Sequence, residues 1–469
     1  MNPTTTTSWT AIVLAAGQGT RMKSERPKVL HPVAGRPMLT YAMDAALLAG
    51  AREVVVVVGH AAEAVEQLLR SRYRDRGVQT VLQPEQRGTG DAVRCAMQAL
   101  PDVQGYVGIL YGDVPLVPKE ALTNLILLAT DSHAPLAMIT GTLTNPTGYG
   151  RILRNPEGMI TAVAEHRDCS ESELQIREVN PGIYAIEAQF LRHSLTKLNS
   201  HNAQGELYLT DVVREAARSG GVVSMDWTMT DLTGVNDRYE LAVAEQAMQQ
   251  RIARQACQRG ITVRDPQSVS LDADVVLHPE VTLERNVVLR GETVVHRGAR
   301  IDVGCVLTDV VVEEDAYVQP YTVATDSRIG RQSRVGPFAH LRPGTDLGEQ
   351  VHVGNFVETK KTRMARGAKA NHLSYLGDGD IGERANIGAG TIFCNYDGFH
   401  KHTTVIGHDA FIGSDSQLVA PVVVGERAYV ATGTTVTSDV PPDALAIGRV
   451  RQENRPEYAA RLREKKRSK

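Results

Sequence analysis

The sequence predicts two joined folds, an α/β domain built on a parallel sheet and, after it, a parallel β-helix. Three observations predict them. From Trp9 to about Leu232, apolar runs alternate with helix-like stretches, as in a sheet covered by helices. From Val311, an aliphatic or aromatic residue returns every six positions: Val311, Tyr317, Val323, Ile329, Val335, Leu341, Leu347 and Val353. That period suits neither a helix nor a two-faced strand, but it fits short strands that turn corners and stack coil upon coil. Between the two halves, Asp237 to about Gln258 has helical spacing without a breaker. Gly260 closes this connecting helix, and Asp265-Pro266 marks a turn.

The elements of the first half follow in order. Ala11–Ala16 reads as a buried strand, Met38–Ala49 as a helix, and Val54–Val58 as a β-branched strand. Ala61–Arg70 reads as a helix, Thr80–Leu82 as a short strand, Asp91–Leu100 as a helix and Tyr106–Tyr111 as a strand. In such sheets ligands sit at the carboxyl ends of the strands. In the second half the beat starts near Leu277, runs through Leu283, Leu289, Val295 and Ile301, and slips phase before Val311. Gly330, Gly336, Gly348 and Gly354 follow four of the beat residues. The beat resumes at Ile381, Ile387 and Phe393, and again at Ile406, Ile412, Leu418, Val424, Val430 and Val436. Its two interruptions read as insertions.

Composition narrows the function. The 469 residues exceed one ordinary domain, and 51 basic against 54 acidic residues leave a formal charge of -3. No general affinity for nucleic acid or membrane follows from that balance. Met1–Thr10 lacks the apolar core of a signal peptide, and no apolar run reaches the roughly 18 residues needed to span a bilayer. Five scattered cysteines argue against a disulfide framework or a zinc site. A cytoplasmic protein is expected.

The chemistry of the first half starts at Leu14-Ala-Ala-Gly-Gln-Gly-Thr-Arg-Met22, followed by Pro27-Lys28. Small residues after a first strand let backbone N–H groups approach a phosphate or a base edge, and Arg21 and Lys28 add fixed positive charge. The stretch is not a P-loop, and Met22 stands where a dinucleotide fingerprint needs its third glycine. Gln83-Pro-Glu-Gln86-Arg-Gly88-Thr89-Gly90 and Tyr111-Gly112-Asp113 follow. An Asp at the end of an apolar strand is costly unless it meets a cation, although Asp113 capping the next helix is the structural alternative.

These motifs resemble those of the sugar-1-phosphate nucleotidylyltransferases. The resemblance implies that Leu14, Ala15, Ala16, Gly17, Lys28, Gln83, Gly88, Thr89, Tyr111, Gly112 and Asp113 bind the nucleotide end of UDP-N-acetylglucosamine. Gln83 would lie near the uracil. Gly150, Glu165 and Asn180 would meet the amino sugar, and Asp113 with Asn236 would hold Mg2+. Two departures stand out. Pro181 replaces an expected threonine, and Asp91 follows Gly-Thr-Gly where histidine is usual.

In the second half the segments that interrupt the beat carry the chemistry. Glu358–Gly367 is strongly basic and leads into Asn371-His-Leu-Ser-Tyr375, and Asn395–His402 follows Gly388–Cys394. A basic loop beside His372 and Tyr375 reads as a pocket for an anionic ligand, while a spacer or oligomerisation prop is the plain alternative for the repeat. Phe338–Gly344, Val353–Glu358 and Thr391–Gly398 extend the resemblance over nearly the whole chain. It covers the family of bifunctional N-acetylglucosamine-1-phosphate uridylyltransferase / glucosamine-1-phosphate N-acetyltransferases.

The resemblance implies an α/β Rossmann-like nucleotidylyltransferase domain at 1–236, a linker helix at 237–260 and a left-handed β-helix of hexapeptide repeats at 261–469. It also implies a homotrimer whose acetyl sites are shared between subunits, with UTP, glucosamine-1-phosphate, N-acetylglucosamine-1-phosphate and acetyl-CoA as substrates. By position His372 would be the general base, and Arg21 and Lys28 would serve the uridylyl step. Arg342, Lys360, Tyr375 and Asn386 would bind the acetyl acceptor. Ala389, Asn395, Tyr396, Ser414, Thr432 and Arg449 would line the coenzyme, with threonine at 432 where alanine is usual. Cys394 reads as a buried thiol, and the basic tail from Arg451 as partly disordered. A single-activity nucleotidylyltransferase and a non-catalytic assembly subunit remain the alternatives.

Overall fold

The computed structural model describes residues 9–467 apart from residues 60, 61 and 75. Contacts divide the chain into two compact units, Met1–Met248 and Gln249–Lys469. No described helix is long and apolar enough to cross a membrane.

The first unit is a ten-stranded sheet with helices on its faces. Strands Val78–Leu82, Ala51–Val58, Trp9–Leu14 and Tyr106–Tyr111 lie side by side and parallel. Alternate residues face alternate sides. Ala11 and Val13 enter one apolar core with Val54 and Val56, while Ile12 enters the other with Val55 and Val57. The chain winds outward from the central strand and returns on its other side at Tyr106–Tyr111. That reversal opens a crevice at the carboxyl ends of these two strands.

Beyond Tyr106–Tyr111 the sheet is mixed instead of purely parallel. Tyr184–Glu187 runs antiparallel to its neighbours, and Gly150–Arg154, Ile160–Ala164 and Glu178–Asn180 form an antiparallel extension. Gly150–Arg154 and Ile160–Ala164 are joined directly by a hairpin turn, which antiparallel pairing allows without a crossover. The first strand ends at Leu14, so Ala15 and Ala16 belong to the turn that follows. The helix expected from Asp91 starts at Thr89. The helix expected over Ala61–Arg70 runs Ala62–Arg72, and Ala61 itself lies outside the described residues.

The second unit is a left-handed parallel β-helix. Val276 stands opposite Val294, and Val294 opposite Val311, so one coil takes 17 or 18 residues. Each wall points one strand residue into an interior filled by Leu283, Leu289, Val295, Ile301 and their successors, and a second buried residue such as Val281, Val287 or Ala299 stands two positions before it. The helix Arg238–Gln258 precedes the first coil.

The phase expected around Val311 is off by one. Val312, Val318 and Ala324 are the buried residues, while Val311 and Tyr317 are partly exposed and Val323 is exposed. The run Val310-Val311-Val312 offers more than one phase, and the seven-residue strands Val306–Val312 and Val323–Ile329 each carry a five-residue step around a corner. From Ile329 the expected phase and the interior coincide.

Glu358–Gly367 is not an insertion. Thr359, Met364, Ala370 and Leu376 are fully buried and continue the repeat through strands Glu358–Lys360, Arg363–Met364, Lys369–His372 and Tyr375–Gly377. The beat is hidden there because threonine, methionine and alanine take inward places usually held by branched aliphatics. Asn395–His402 is a true insertion. Thr404 pairs with Gly379, a gap of 25 residues, and the extra chain is a hairpin closed by an antiparallel bridge between Tyr396 and Lys401.

Cys394 is half-exposed, not buried, because Phe393 takes the inward position and alternation turns its neighbour out. In the tail, Tyr458–Arg467 forms a helix with no buried residue, where partial disorder was expected. Residues 468 and 469 of that tail lie outside the described residues. The Phe393 ring is fully buried and fills the interior beside Gly379. Phe393→Ala is expected to cost about 3–5 kcal/mol of stability, read as a lower denaturant midpoint with an unchanged slope.

Candidate active sites

In the first unit a cavity of about 380 Å³ opens at the carboxyl ends of Trp9–Leu14 and Tyr106–Tyr111. It is lined by Leu14, Ala15, Ala16, Gly17, Lys28, Gln83, Gly88, Thr89, Tyr111, Asp113 and Asn236. Eleven residues named from sequence thus meet in one place. Gly112 lies behind the wall, where its N–H donates to the Leu14 carbonyl at 2.9 Å.

Two glycines permit the shape. Gly19 has φ 63°, and a Cβ there would sit 2.6 Å from Lys28 Cβ, so only glycine lets the turn close on the lysine. Gly88 has φ 106° and abuts the Leu207 carbonyl at the start of the next helix.

Charge concentrates at the mouth of the cavity. Lys28 Nζ contacts Asp113 Oδ2 and lies 3.2 Å from Asn236 Oδ1, and Arg21 donates to the same Asn236 oxygen at 2.8 Å. The Val235 N–H donates to the Asp113 carbonyl at 2.9 Å, which brings Asn236 alongside. Asp113 does not cap the following helix, whose N-cap position is Pro118. One carboxylate and one amide oxygen are within reach of a single cation, here an ammonium. Hard oxygen donors of this kind suit Mg2+, which usually takes few protein ligands and completes its shell with water and phosphate oxygens. Among the described residues no group of three or more His, Cys, Asp or Glu is placed to hold a metal. The donor set fits an ion bound together with a polyphosphate.

The three residues expected at the sugar do not line this cavity. Asn180 pairs with Gly150 across adjacent strands, and a Cβ on Gly150 would lie 3.7 Å from Glu165 Oε2, so the three adjoin one another. Glu165 lines a neighbouring cavity of about 360 Å³ with Asp168, Thr210 and Asp211. It accepts from Thr210 at 2.9 Å, and burial raises its pKa. The Asn180 amide is held internally, donating to Tyr184 Oη at 2.6 Å and accepting from the Gly182 N–H at 3.0 Å. That turn forms around Pro181 because it needs no N–H from that position. Gly182 packs so closely against the Tyr111 ring that a Cβ there would clash with it. Burial, with Glu165 and Asp113 adding to it, drives the Tyr111 pKa well above the usual range.

The second unit places its groups on separate features. One corner carries a column. The Leu373 N–H donates to the Asn355 carbonyl at 3.1 Å, Gly390 to His372 at 3.3 Å, Asp415 to Ala389 at 2.7 Å and Gly433 to Ser414 at 2.9 Å. Arg449 then reaches the Thr432 carbonyl. His372, Ala389, Ser414, Thr432 and Arg449 therefore descend one edge, about 4.8 Å per coil. Asn355 tops the column, its Oδ1 2.8 Å from His372 Nδ1. An amide oxygen there accepts Nδ1–H and leaves Nε2 with a lone pair.

A different sheet carries Arg342, Lys360 and Tyr375. Glu358 pairs with Tyr375 in register, and its carboxylate accepts from Arg342 at 2.7 Å. Lys401 of the inserted hairpin faces Lys360 and holds its pKa below the ordinary lysine value. Two facing ammonium groups beside Arg342 favour an anion. Asn395 anchors the hairpin, donating to Asp378 Oδ2 at 2.5 Å, and the Tyr396 hydroxyl donates to the Gly398 carbonyl at 2.6 Å, so neither joins the column. Asn386 pairs with Lys369 and Phe411 in the sheet that includes Lys369–His372, apart from Arg342 and Lys360.

Sequence reasoning assigned no role to Asn355, Lys401 or Gln86. Gln86 lines the same cavity as Lys28 and Asp113 and donates to the Ala16 carbonyl. All three lay inside segments already singled out by motif, but only the fold shows what they touch.

The α/β unit with a cavity whose mouth carries Lys28, Arg21 and Asp113, joined to a β-helix of six-residue repeats, defines a two-part transferase. Residues 11–170 match the MobA-like NTP transferase domain, residues 266–364 the GMPPB C-terminal domain, and residues 403–438 the bacterial transferase hexapeptide repeat. Curated relatives carry the name bifunctional protein GlmU. The one from Sorangium cellulosum is 57% identical over 463 residues, covering 97% of each chain. Those from an Anaeromyxobacter species (strain Fw109-5) and Pelobacter propionicus are 48% and 46% identical, covering 96% and 97% of this chain and 92% and 99% of their own. The chain belongs to the GlmU family of bifunctional enzymes.

Proposed function

We propose that the first unit transfers a uridylyl group from UTP to N-acetylglucosamine-1-phosphate, and that the second acetylates glucosamine-1-phosphate from acetyl-CoA. One observation carries the reading: Lys28, Asp113 and Asn236 converge at a cavity of about 380 Å³ in one unit, while His372 stands in line with Ala389, Ser414, Thr432 and Arg449 along one edge of the other.

In the uridylyl step a phosphate oxygen of the sugar phosphate attacks the α-phosphorus of UTP, and pyrophosphate leaves. The nucleophile is already anionic, so no protein base is needed. Arg21 and Lys28 offset the charge on the transferring group. Asp113 and Asn236 would hold Mg2+, which when bound neutralises triphosphate charge. Gly150, Glu165 and Asn180 are assigned to the amino sugar beyond Tyr111.

In the acetyl step the sugar amine attacks the thioester carbonyl. His372 Nε2 takes the amine proton, and coenzyme A leaves as the thiol. Asn355 keeps the lone pair on Nε2. Arg342, Lys360 and Lys401 meet the sugar phosphate, and Tyr375 and Asn386 are assigned to the same acceptor. Ala389, Ser414, Thr432 and Arg449 follow the coenzyme down the corner, with Asn395 and Tyr396 assigned to the thioester end.

The working form is a homotrimer in the cytoplasm. Two features support the trimer. The acetyl-site residues are spread over more than one wall, and corner residues Tyr321, Phe338 and Phe356 stack as an apolar ladder about half exposed to solvent. A fragment ending near Arg251 is expected to release pyrophosphate from UTP and to be monomeric by light scattering. A trimeric fragment contradicts the assignment of assembly to the β-helix. For the whole protein, CoA thiol and pyrophosphate are followed separately with glucosamine-1-phosphate, acetyl-CoA, UTP and Mg2+ supplied. Pyrophosphate without thiol leaves a single-activity enzyme, and neither product leaves an assembly subunit.

A further inference from the structure

Asp91 is the charged residue at the departure from the family pattern, and it is 1% exposed. Its two oxygens are divided. Oδ1 takes Arg94 and, at 3.4 Å, Arg87. Oδ2 accepts from Gln83 Nε2 at 3.0 Å. The same Gln83 nitrogen lies 3.2 Å from the Gly88 carbonyl, so both of its hydrogens are committed to acceptors. Turning the amide over would press Gln83 Oε1 against a carboxylate and a carbonyl in a buried place, which is strongly unfavourable. Gln83 lines the nucleotide cavity, and no hydrogen bond engages its Oε1 among the described residues.

We propose that Asp91 is a positioning residue for base selection: it locks the Gln83 amide so that only an acceptor oxygen faces the base. The inference rests on the reading of this cavity as the UTP site. Uracil presents an N3–H donor between two carbonyls, whereas cytosine presents an N3 acceptor and a 4-amino group. A fixed acceptor favours the first pattern at N3. With asparagine at 91, the side-chain carbonyl turns to Arg94 and Arg87, and its NH2 faces Gln83. Only the longer contact to the Gly88 carbonyl at 3.2 Å then still holds the Gln83 NH2 inward, so the turned amide, with Oε1 accepting from the introduced NH2 and its own NH2 toward the base, becomes populated. Asp91 thereby acts through Gln83 without touching the nucleotide.

The test compares UTP and CTP as substrates, by kcat/KM for pyrophosphate release, in wild type, Asp91→Asn, Asp91→Glu, Gln83→Ala and the Gln83→Ala/Asp91→Asn double variant. Wild type is expected to prefer UTP. Asp91→Asn should reduce the UTP/CTP ratio about 10- to 100-fold, the scale of one hydrogen bond at a base edge. Asp91→Glu should keep most of the preference. In the Gln83→Ala background Asp91→Asn should leave the ratio unchanged, because the residue has lost the group it acts through. A far-ultraviolet spectrum and a denaturant midpoint, measured on the same samples, report whether the first unit of each variant is folded. If Asp91→Asn does not fold, Asp91→Ser is read the same way.

An unchanged ratio in folded Asp91→Asn or Asp91→Ser overturns the role of Asp91 while leaving the nucleotide site intact. So does a ratio shift of the same size in both backgrounds. A wild type that releases pyrophosphate from neither nucleotide, or a Gln83→Ala variant with full selectivity, overturns the site reading itself.

Discussion

His372→Ala is expected to abolish release of the CoA thiol, a loss of about 10²–10⁴-fold, while pyrophosphate release from UTP keeps its rate. The imidazole sits on an exposed corner with Nδ1 2.8 Å from Asn355 Oδ1, and no other base stands in the column that runs from it to Arg449. An amine attacking a thioester must shed a proton, and without Nε2 that proton goes only to water. The substitution leaves the interior untouched, because the buried places in this part of the coil belong to Ala370 and Leu376. Thiol-reagent absorbance and a coupled pyrophosphate assay, run on one preparation, check the result. Equal loss of both activities in a folded variant would sink the separation of the two sites.

The second large effect is expected at Asp113. Asp113→Asn retains the shape of the side chain but removes the charge that Lys28 contacts and that a divalent ion would need. Pyrophosphate release should fall about 10²–10³-fold, the usual effect of losing one preorganised electrostatic group. The Mg2+ concentration for half-maximal rate should rise, and thiol release should stay at the wild-type level. Asp113 and Lys28 are mostly buried, so the variant leaves a lysine ammonium without its counter-charge beside the cavity. A titration of rate against Mg2+ separates weaker ion binding from misfolding, which a far-ultraviolet spectrum would show. Unchanged activity at limiting Mg2+ would remove Asp113 from the site.

Local chemistry carries a large part of this protein in its sequence. The strand-turn pattern through Leu14–Gly17 and the Tyr111-Gly112-Asp113 strand end are local signals, since an apolar run followed by glycine or a lone carboxylate marks a strand's carboxyl end wherever the strand sits. The six-residue beat likewise declares a solenoid, because only inward positions must be apolar. Where those inward positions are filled by Thr359, Met364 and Ala370, the same rule fails, and a regular coil reads as an insertion. Three valines in a row at Val310–Val312 conceal a one-residue phase shift for a related reason: hydrophobicity alone does not choose among them.

What only the tertiary structure decided is which side chains meet. Asn236 stands 208 residues from Lys28, yet they lie 3.2 Å apart because the Val235 N–H is bonded to the Asp113 carbonyl. The column from Asn355 to Arg449 arises from coils of unequal length, and the inserted hairpin keeps Ser414 below Ala389 despite the extra chain. Asp91 is the sharpest case. Its sequence position shows only a departure, while its burial and its divided hydrogen bonds show what it holds in place. Local pattern fixes an element because neighbours in the chain share its geometry. Sites are made of residues distant in sequence, and only packing brings those together.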